Sequence, residues 1–325
     1  MATDGVSPHS LIPDIVTSSA PKISVVVPVY GCATCLEELV DRIALCFADG
    51  RDSFETILVD DSSPDRAWQR IRELAVARPW LKGVRFARNF GQHFAISAGI
   101  ERAQGEIVIV MDCDLQDVPE EIPRLIAAVE AGADVALGQR IERQDRLGKR
   151  ISSWAFFRVL SWMTGVPQDH TTANFGAYSR KVIDTVNAMT ERERCFPLMV
   201  RWAGFETVKI PVAHASRSQG QSAYSFKKLL RLATNIILSY SDKPLRLVVR
   251  AGLVFSALAF VMAIVSVIRY SSGDIQVAGF TSIIASIWLV GGVAIFCLGI
   301  IGLYLARLFM EAKNRPYYVV TDTIG

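Results

Sequence analysis

Two stretches of the chain carry no charged residue, Ala251–Ile268 over 18 positions and Phe280–Ala306 over 27. At about 1.5 Å of rise per residue they make helices of about 27 and 40 Å, against a hydrocarbon core about 30 Å thick. Either can cross a bilayer, the longer one with tilt or an interfacial overhang. The alternative, two buried helices of a soluble domain, would ask for a polar face that neither stretch has. This is where the apolar excess of the chain lies, since 51% of its 325 residues are hydrophobic. Lys243, Arg246 and Arg250 precede the first stretch and Arg307, Lys313 and Arg315 follow the second, while the link from Arg269 to Gly279 holds one Arg and one Asp. The positive-inside rule then predicts a multi-pass protein of the plasma membrane with both termini in the cytoplasm. A net charge of +3 is too small to indicate nucleic acid, and no basic run interleaves with aromatics. Cations beside the spans suit an anionic lipid surface instead.

Ahead of the spans, residues 224–246 set Leu229, Leu230, Leu232, Ile236 and Ile237 beside Lys227, Lys228 and Arg231. That is the pattern of a basic amphipathic helix lying in the membrane interface, with a helix on a domain surface as the other reading. Residues 1–21 are rich in Ser, Thr and Pro and lack a basic start followed by an apolar core, so they read as a disordered tail and not as a signal peptide. Between tail and amphipathic segment, 22–223 forms a catalytic-domain-sized block, and 247–325 is assigned to the membrane helices and a cytoplasmic tail.

Within that block apolar runs alternate with amphipathic stretches. Ile23–Val29, Phe54–Val59, Val84–Ala87, Glu106–Met111 and Asp134–Leu137 read as strands, with helical patterns at Leu36–Phe47, Asp65–Ala77, His93–Ala103 and Glu120–Ala131. A βαβα series predicts an α/β fold with a mostly parallel, doubly wound sheet. Ligands of such sheets bind outside the C-terminal strand ends. The residues there are Pro28-Val-Tyr30, Asp60-Asp61-Ser62-Ser63, Arg88-Asn-Phe-Gly91 and Asp112-Cys-Asp-Leu-Gln-Asp117.

In the last of these, strand alternation predicts Asp112 and Asp114 on one side of the chain and Cys113 on the other, facing the core. Two hard oxygen ligands can hold Mg²⁺ or Mn²⁺, whose remaining positions go to water and substrate phosphate oxygens. The expected ligand is therefore a nucleotide diphosphate. Asp117-Val-Pro-Glu120 has the form of a helix N-cap. Cys32 and Cys35 make a lone C-x-x-C with no second pair and no nearby His to complete a zinc site, which predicts free thiols.

Taken in order, Pro28-Val-Tyr30, Asp60-Asp-Ser-Ser-Pro-Asp65, Arg88-Asn-Phe-Gly91, Asp112-x-Asp-Leu-Gln116, Arg217-x-x-Gly-x-Ser-x-Tyr224 and Gly302-Leu-Tyr304 to Arg315-Pro-x-Tyr318 resemble glycosyltransferase family 2. Within it the chain is similar to the polyprenyl-phosphate glycosyltransferases related to dolichyl-phosphate mannose synthase. The resemblance covers nearly everything after residue 22. It implies a Rossmann-like GT-A fold, a metal and diphosphate site at Asp112, Asp114 and Gln116, and donor contacts from Pro28, Tyr30, Asp60 and Asp61. It further implies arginines against the donor diphosphate or lipid phosphate, for which Arg140, Arg143 and Arg217 are the candidates, a guanidinium fitting phosphate better than an ammonium. A nucleotide-diphosphate sugar, a polyprenyl phosphate, the bilayer and a homotetramer are the implied partners.

Two positions depart from the family pattern. Gly31-Cys32 stand where relatives commonly have Asn-Glu, and Asn174, in Thr172-Ala-Asn-Phe175, stands where many carry an acidic residue. The second departure leaves Asp114, Asn174 and Arg217 as the catalytic candidates without a general base. Three other readings stay open: a processive polysaccharide synthase, against which two spans and Leu198 in place of the Gln of Q-x-x-R-W weigh; an inactive transferase-like scaffold; and a transferase using an acceptor without phosphate.

Overall fold

The computed structural model describes residues 20–50, 53–140, 172–213, 241, 243–272 and 279–325. Four β–α steps open the chain: β1 (Ile23–Val29), α1 (Leu36–Leu45), β2 (Phe54–Asp60), α2 (Ala67–Val76), β3 (Leu81–Phe86), α3 (Gln92–Arg102), β4 (Ile107–Val110) and α4 (Ile122–Glu130). Then follow β5 (Val135–Arg140), β6 (Thr172–Ser179), α5 (Arg180–Ala188), α6 (Phe196–Ala203) and β7 (Thr207–Val212), two long helices α7 (Lys243–Ser271) and α8 (Phe280–Ala312), and β8 (Val320–Ile324).

The strands form one sheet in the order β7-β5-β6-β4-β1-β2-β3-β8. The β1–β2, β1–β4, β2–β3 and β5–β7 pairs are parallel. Three pairs, β4–β6, β5–β6 and β3–β8, are antiparallel. The sheet is therefore mixed, a correction to the mostly parallel expectation: β6 inserts antiparallel between β4 and β5, which a βαβ reading does not produce. Winding runs outward from β1 through β2 to β3 and then returns to place β4 on β1's other side. That reversal makes a switch point, and sheets of this kind bind ligands there, beyond the C-terminal strand ends.

Strand β1 shows why the sheet is sandwiched. Its β-branched run is buried throughout, with Val25, Val27 and Val29 packed into one core beside α1, α2 and α4, and Val26 into a second core beside α3, α5 and α6. A side chain is thus committed to each face at alternate positions, and both faces are closed by helices. Helix α3 lies so near β1 that a Cβ on Gly99 would stand 2.2 Å from Val26 Cγ1.

Residues Pro316–Gly325 join the sheet-bearing unit, not the helical one to which the sequence assigned them. Strand β8 pairs with β3, Tyr318 stacks on Phe86 with 4.9 Å between ring centroids, and its hydroxyl bonds Glu101. Tyr317 donates to the Thr190 carbonyl at 2.7 Å and carries the Arg194 guanidinium over its ring.

The second unit contains α7 and α8. Both expose large apolar side chains, Leu253 and Phe260 on one and Ile295 and Phe296 on the other. Among the described residues one segment, Leu289–Ala312, is long and apolar enough to cross a membrane by length and composition, and none of it is buried. The expected tail 1–21 (but for its last two residues), the amphipathic segment 224–246 up to Tyr240, and Arg143 and Arg217 lie outside the described residues.

Candidate active site

All four parallel strands β1–β4 point the same way, so their following turns gather along one edge. The turn after β4 contains the aspartates. Its strand ends at Val110 and a tight turn follows, with Leu115 at φ +60°. Asp114 Oδ1 accepts the Gln116 N–H at 3.2 Å, and Asp112 N–H reaches Asp117 Oδ2 at 3.2 Å. Asp117 is buried and ties this turn; it does not cap α4, again unlike the expectation. Asp112, Asp114 and Gln116 all keep some surface.

Gln92, the first residue of α3, donates from Nε2 to Asp112 Oδ1 at 2.6 Å. The sequence reading missed it, although it directly follows the Arg88–Gly91 motif that was singled out. Among the described residues no three His, Cys, Asp or Glu converge on a point. Two carboxylates and an amide carbonyl within one five-residue turn still suit Mg²⁺ or Mn²⁺, which take few protein ligands and complete their shell from water and phosphate.

The turn after β2 is built by its own carboxylates. Asp60 and Asp61 are both almost fully buried. Burial raises the pKa of Asp60, opposed by the Ser63 N–H that its Oδ1 accepts at 2.9 Å and by Arg85. Burial likewise raises that of Asp61, opposed by the N–H groups of Phe90 and Gly91, which its two oxygens accept at 2.7 and 2.9 Å. Asp61 thereby clamps the turn after β3, where Gly91 sits at φ +109°, a region that favours glycine. Asp65 accepts from Ala33 N–H and Ser63 Oγ, and Ser63 Oγ accepts from Gly31 N–H at 2.7 Å. Burial pushes the Asp65 carboxyl up, but these bonds outweigh it and hold it below the usual range. The turn after β1 thus rests on the turn after β2. Pro28 is buried, whereas Tyr30, just past the end of β1, is 54% exposed.

Cys32 and Cys113 are not free thiols: they form a disulfide. Cys113 does face the core, as alternation suggested, and it meets Cys32 there because β1 and β4 are neighbours in the sheet. Cys35, Cys46, Cys195 and Cys297 take no part in a disulfide.

The model for glycosyl transferase family 2 matches residues 24–193, which span β1 through α5 and include every turn just described. The chain belongs to this family. Among curated relatives, an uncharacterized glycosyltransferase, YkcC of Bacillus subtilis (strain 168), is 33% identical over 303 residues, covering 93% of this chain and 94% of that one. The undecaprenyl-phosphate 4-deoxy-4-formamido-L-arabinose transferase of Proteus mirabilis (strain HI4320) is 33% identical over 307 residues, 94% of each chain. That of Pseudomonas aeruginosa (strain LESB58) is 34% identical, covering 93% of this chain and 90% of its own. The transferase accordingly has a GT-A fold, with its mixed sheet and a switch point between β1 and β4.

Of its expected site residues, the structure brings Pro28, Tyr30, Asp60, Asp61, Asp112, Asp114 and Gln116 to one edge of the sheet. Arg140 ends β5 and Asn174 lies in β6, but their side chains are outside the described set. Leu198, at the position that argued against a processive synthase, is buried in α6, and Trp202 of the same helix is 68% exposed.

Near the start of α3, His93 Nδ1 is shut off from solvent without a hydrogen-bond partner, and Nε2 lies 3.7 Å from Cys195 Sγ. Burial pushes the imidazole down to about 4 and the thiol up to about 11, so the pair is neutral at pH 7. Unfolded, the imidazole titrates near 6.5 and binds a proton that the folded form refuses until about 4. Stability should therefore be complete above pH 6.5 and fall as pH drops from 6.5 to 4, by at most about 3 kcal/mol. Denaturant unfolding of the detergent-solubilised transferase at pH 7 and 4.5, with His93→Gln losing that part of the slope, checks this.

Proposed function

We propose that the transferase moves a monosaccharide from a nucleotide-diphosphate sugar to a polyprenyl phosphate, of undecaprenyl type, at the cytoplasmic face of the membrane, giving a lipid-linked sugar for the cell envelope. What carries this reading is the identity of about a third, over more than nine-tenths of the chain, to relatives named as undecaprenyl-phosphate sugar transferases. The strand ends support it chemically, since two partly exposed aspartates stand at a sheet edge where core packing asks for none.

In the proposed reaction an oxygen of the acceptor phosphate attacks the anomeric carbon, the bond from that carbon to the donor diphosphate breaks, and the nucleoside diphosphate leaves. A divalent cation, when bound, would neutralise the departing diphosphate. Asp112 and Asp114 would hold it with the Gln116 carbonyl, Gln92 keeping Asp112 in place. Asp60 and Asp61 serve the donor by fixing the turns that line it. Tyr30 offers an exposed ring to the base or ribose, and Arg140, Arg143 and Arg217 would take phosphate oxygens. The apolar surfaces of α7 and α8 support a two-span anchor with both termini cytoplasmic, and the basic segment 224–246 an interfacial helix; a homotetramer is the assembly the resemblance favours.

Transfer from a panel of nucleotide sugars to undecaprenyl phosphate in detergent with Mg²⁺ or Mn²⁺ tests the reading; no turnover with any donor would overturn it. A narrower expectation concerns Asn174. Its amide would hydrogen-bond a sugar hydroxyl or the acceptor phosphate, so Asn174→Ala should lower kcat about ten- to a hundredfold, about 1.4 to 2.7 kcal/mol. No pH limb between 4 and 6 should depend on it. Unchanged kinetics would remove it from the site.

A further inference from the structure

The donor crevice contains a feature that its proposed chemistry does not need. Cys32 stands three residues past the end of β1 and Cys113 three past the end of β4, on the two sides of the switch point. Their sulfurs join beneath the crevice, 7% and 8% exposed, within the core that also holds Leu36 and Met111. We propose that this disulfide is a reversible oxidation site that locks the cation-binding turn in place, so that the thiol–disulfide state of the protein sets its affinity for the divalent ion. The inference rests on the metal reading given above.

Geometry supplies the link. Cys113 is the residue between Asp112 and Asp114, so anchoring its sulfur anchors the backbone from which both carboxylates project. Each flanking turn also has local ties that survive reduction. Gln92 and Asp117 hold Asp112, Gln116 N–H holds Asp114, and Ser63 and Asp65 hold Gly31 and Ala33. Opening the bond therefore leaves two small apolar thiols in a packed core and a turn that is formed but less constrained. In a catalytic unit facing the cytoplasm a disulfide is more often sensing or transient than structural, because the thiol pool there is reducing.

The opening step balances with a dithiol reductant. One of its thiolates attacks Cys32 Sγ, the S–S pair departs on Cys113 Sγ, which takes a proton, and the reductant's second thiol displaces Cys32 and leaves as a cyclic disulfide. Two electrons pass to the protein; closure is the same exchange run backward with a disulfide oxidant. Cys35 is the built-in rival. Its N–H donates to the Cys32 carbonyl at 3.0 Å, which puts a third thiol in the same turn.

Two readouts test the proposal on the full chain in detergent. First, thiols are alkylated before and after dithiothreitol and mapped by mass spectrometry. Cys32 and Cys113 should be blocked together in the oxidised protein and alkylated after reduction, with Cys35 alkylated in both. Free Cys32 and Cys113 after disulfide-oxidant treatment, or a Cys32–Cys35 pair, would overturn the lock. Second, Mn²⁺ alone is titrated by electron paramagnetic resonance. Reduction should raise its half-saturating concentration about tenfold in the wild type, the scale at which groups supporting metal ligands act. The Cys32→Ser/Cys113→Ser variant should show the weaker value in either state, and Cys32→Ala replaces it if the double variant does not fold. Binding that ignores reduction sinks the lock and leaves the metal reading standing, whereas no Mn²⁺ binding in either state sinks both.

Discussion

Asp114→Ala should lower sugar transfer by about a hundred- to a thousandfold, about 2.7 to 4 kcal/mol, and remove cation-dependent nucleotide binding, while leaving the unfolding transition where it is. The asymmetry between function and fold follows from position. Asp114 projects from a turn, keeps part of its surface, and its Oδ1 accepts an N–H only two residues away. The proposed cation has just two carboxylates from the protein, so losing one halves the charge that opposes it. Asp112→Ala should act in the same sense and less completely. Activity assays with and without added Mn²⁺, beside a denaturant curve, make the measurement; an Asp114→Ala protein that transfers sugar without added divalent ion would end the metal assignment.

How much of this was legible in the residues differs from element to element for physical reasons. The bounds of β1 were readable to the residue because Ile23–Val29 is buried on both faces and therefore apolar at every position but Ser24. Strand β3 begins at Leu81, three residues before the expected Val84, since Lys82 and Arg85 interrupt the apolar signal as the strand alternates between core and half-exposed positions. Strand β8 was not readable at all. Val320-Thr-Asp-Thr-Ile324 is an edge strand with little buried surface, and what fixes it is pairing with β3, more than two hundred residues away in the chain. The candidate site shows the same division. Asp112, Asp114 and Gln116 announced themselves by following a buried strand, whereas Gln92 and the Cys32–Cys113 bond depend on which strand ends become neighbours. Asp60 and Asp61 illustrate a further limit, because two adjacent carboxylates look like ligand contacts until their oxygens are found engaged by Ser63, Phe90 and Gly91 N–H groups.

An undecaprenol lacking its phosphate should be a failed acceptor, with transfer reduced by about a hundred- to ten-thousandfold. Asn174, in β6, is an amide that cannot accept a proton, where the family resemblance leads one to expect an acidic residue. An alcohol must lose a proton as it attacks, and general base assistance of that kind is worth about 10²- to 10⁴-fold. A phosphate monoester needs none of it, because its second pKa lies near 6 and it is largely dianionic at pH 7. For such a nucleophile, orientation dominates, worth up to about 7 to 11 kcal/mol in favourable cases. An amide at position 174, with the proposed arginines around it, is therefore matched to the phosphate and mismatched to the alcohol. Parallel assays with undecaprenyl phosphate and undecaprenol, using one donor and one detergent, give the ratio directly. Comparable rates would mean that a base exists elsewhere in the crevice, and the neutrality of Asn174 would then carry no mechanistic weight.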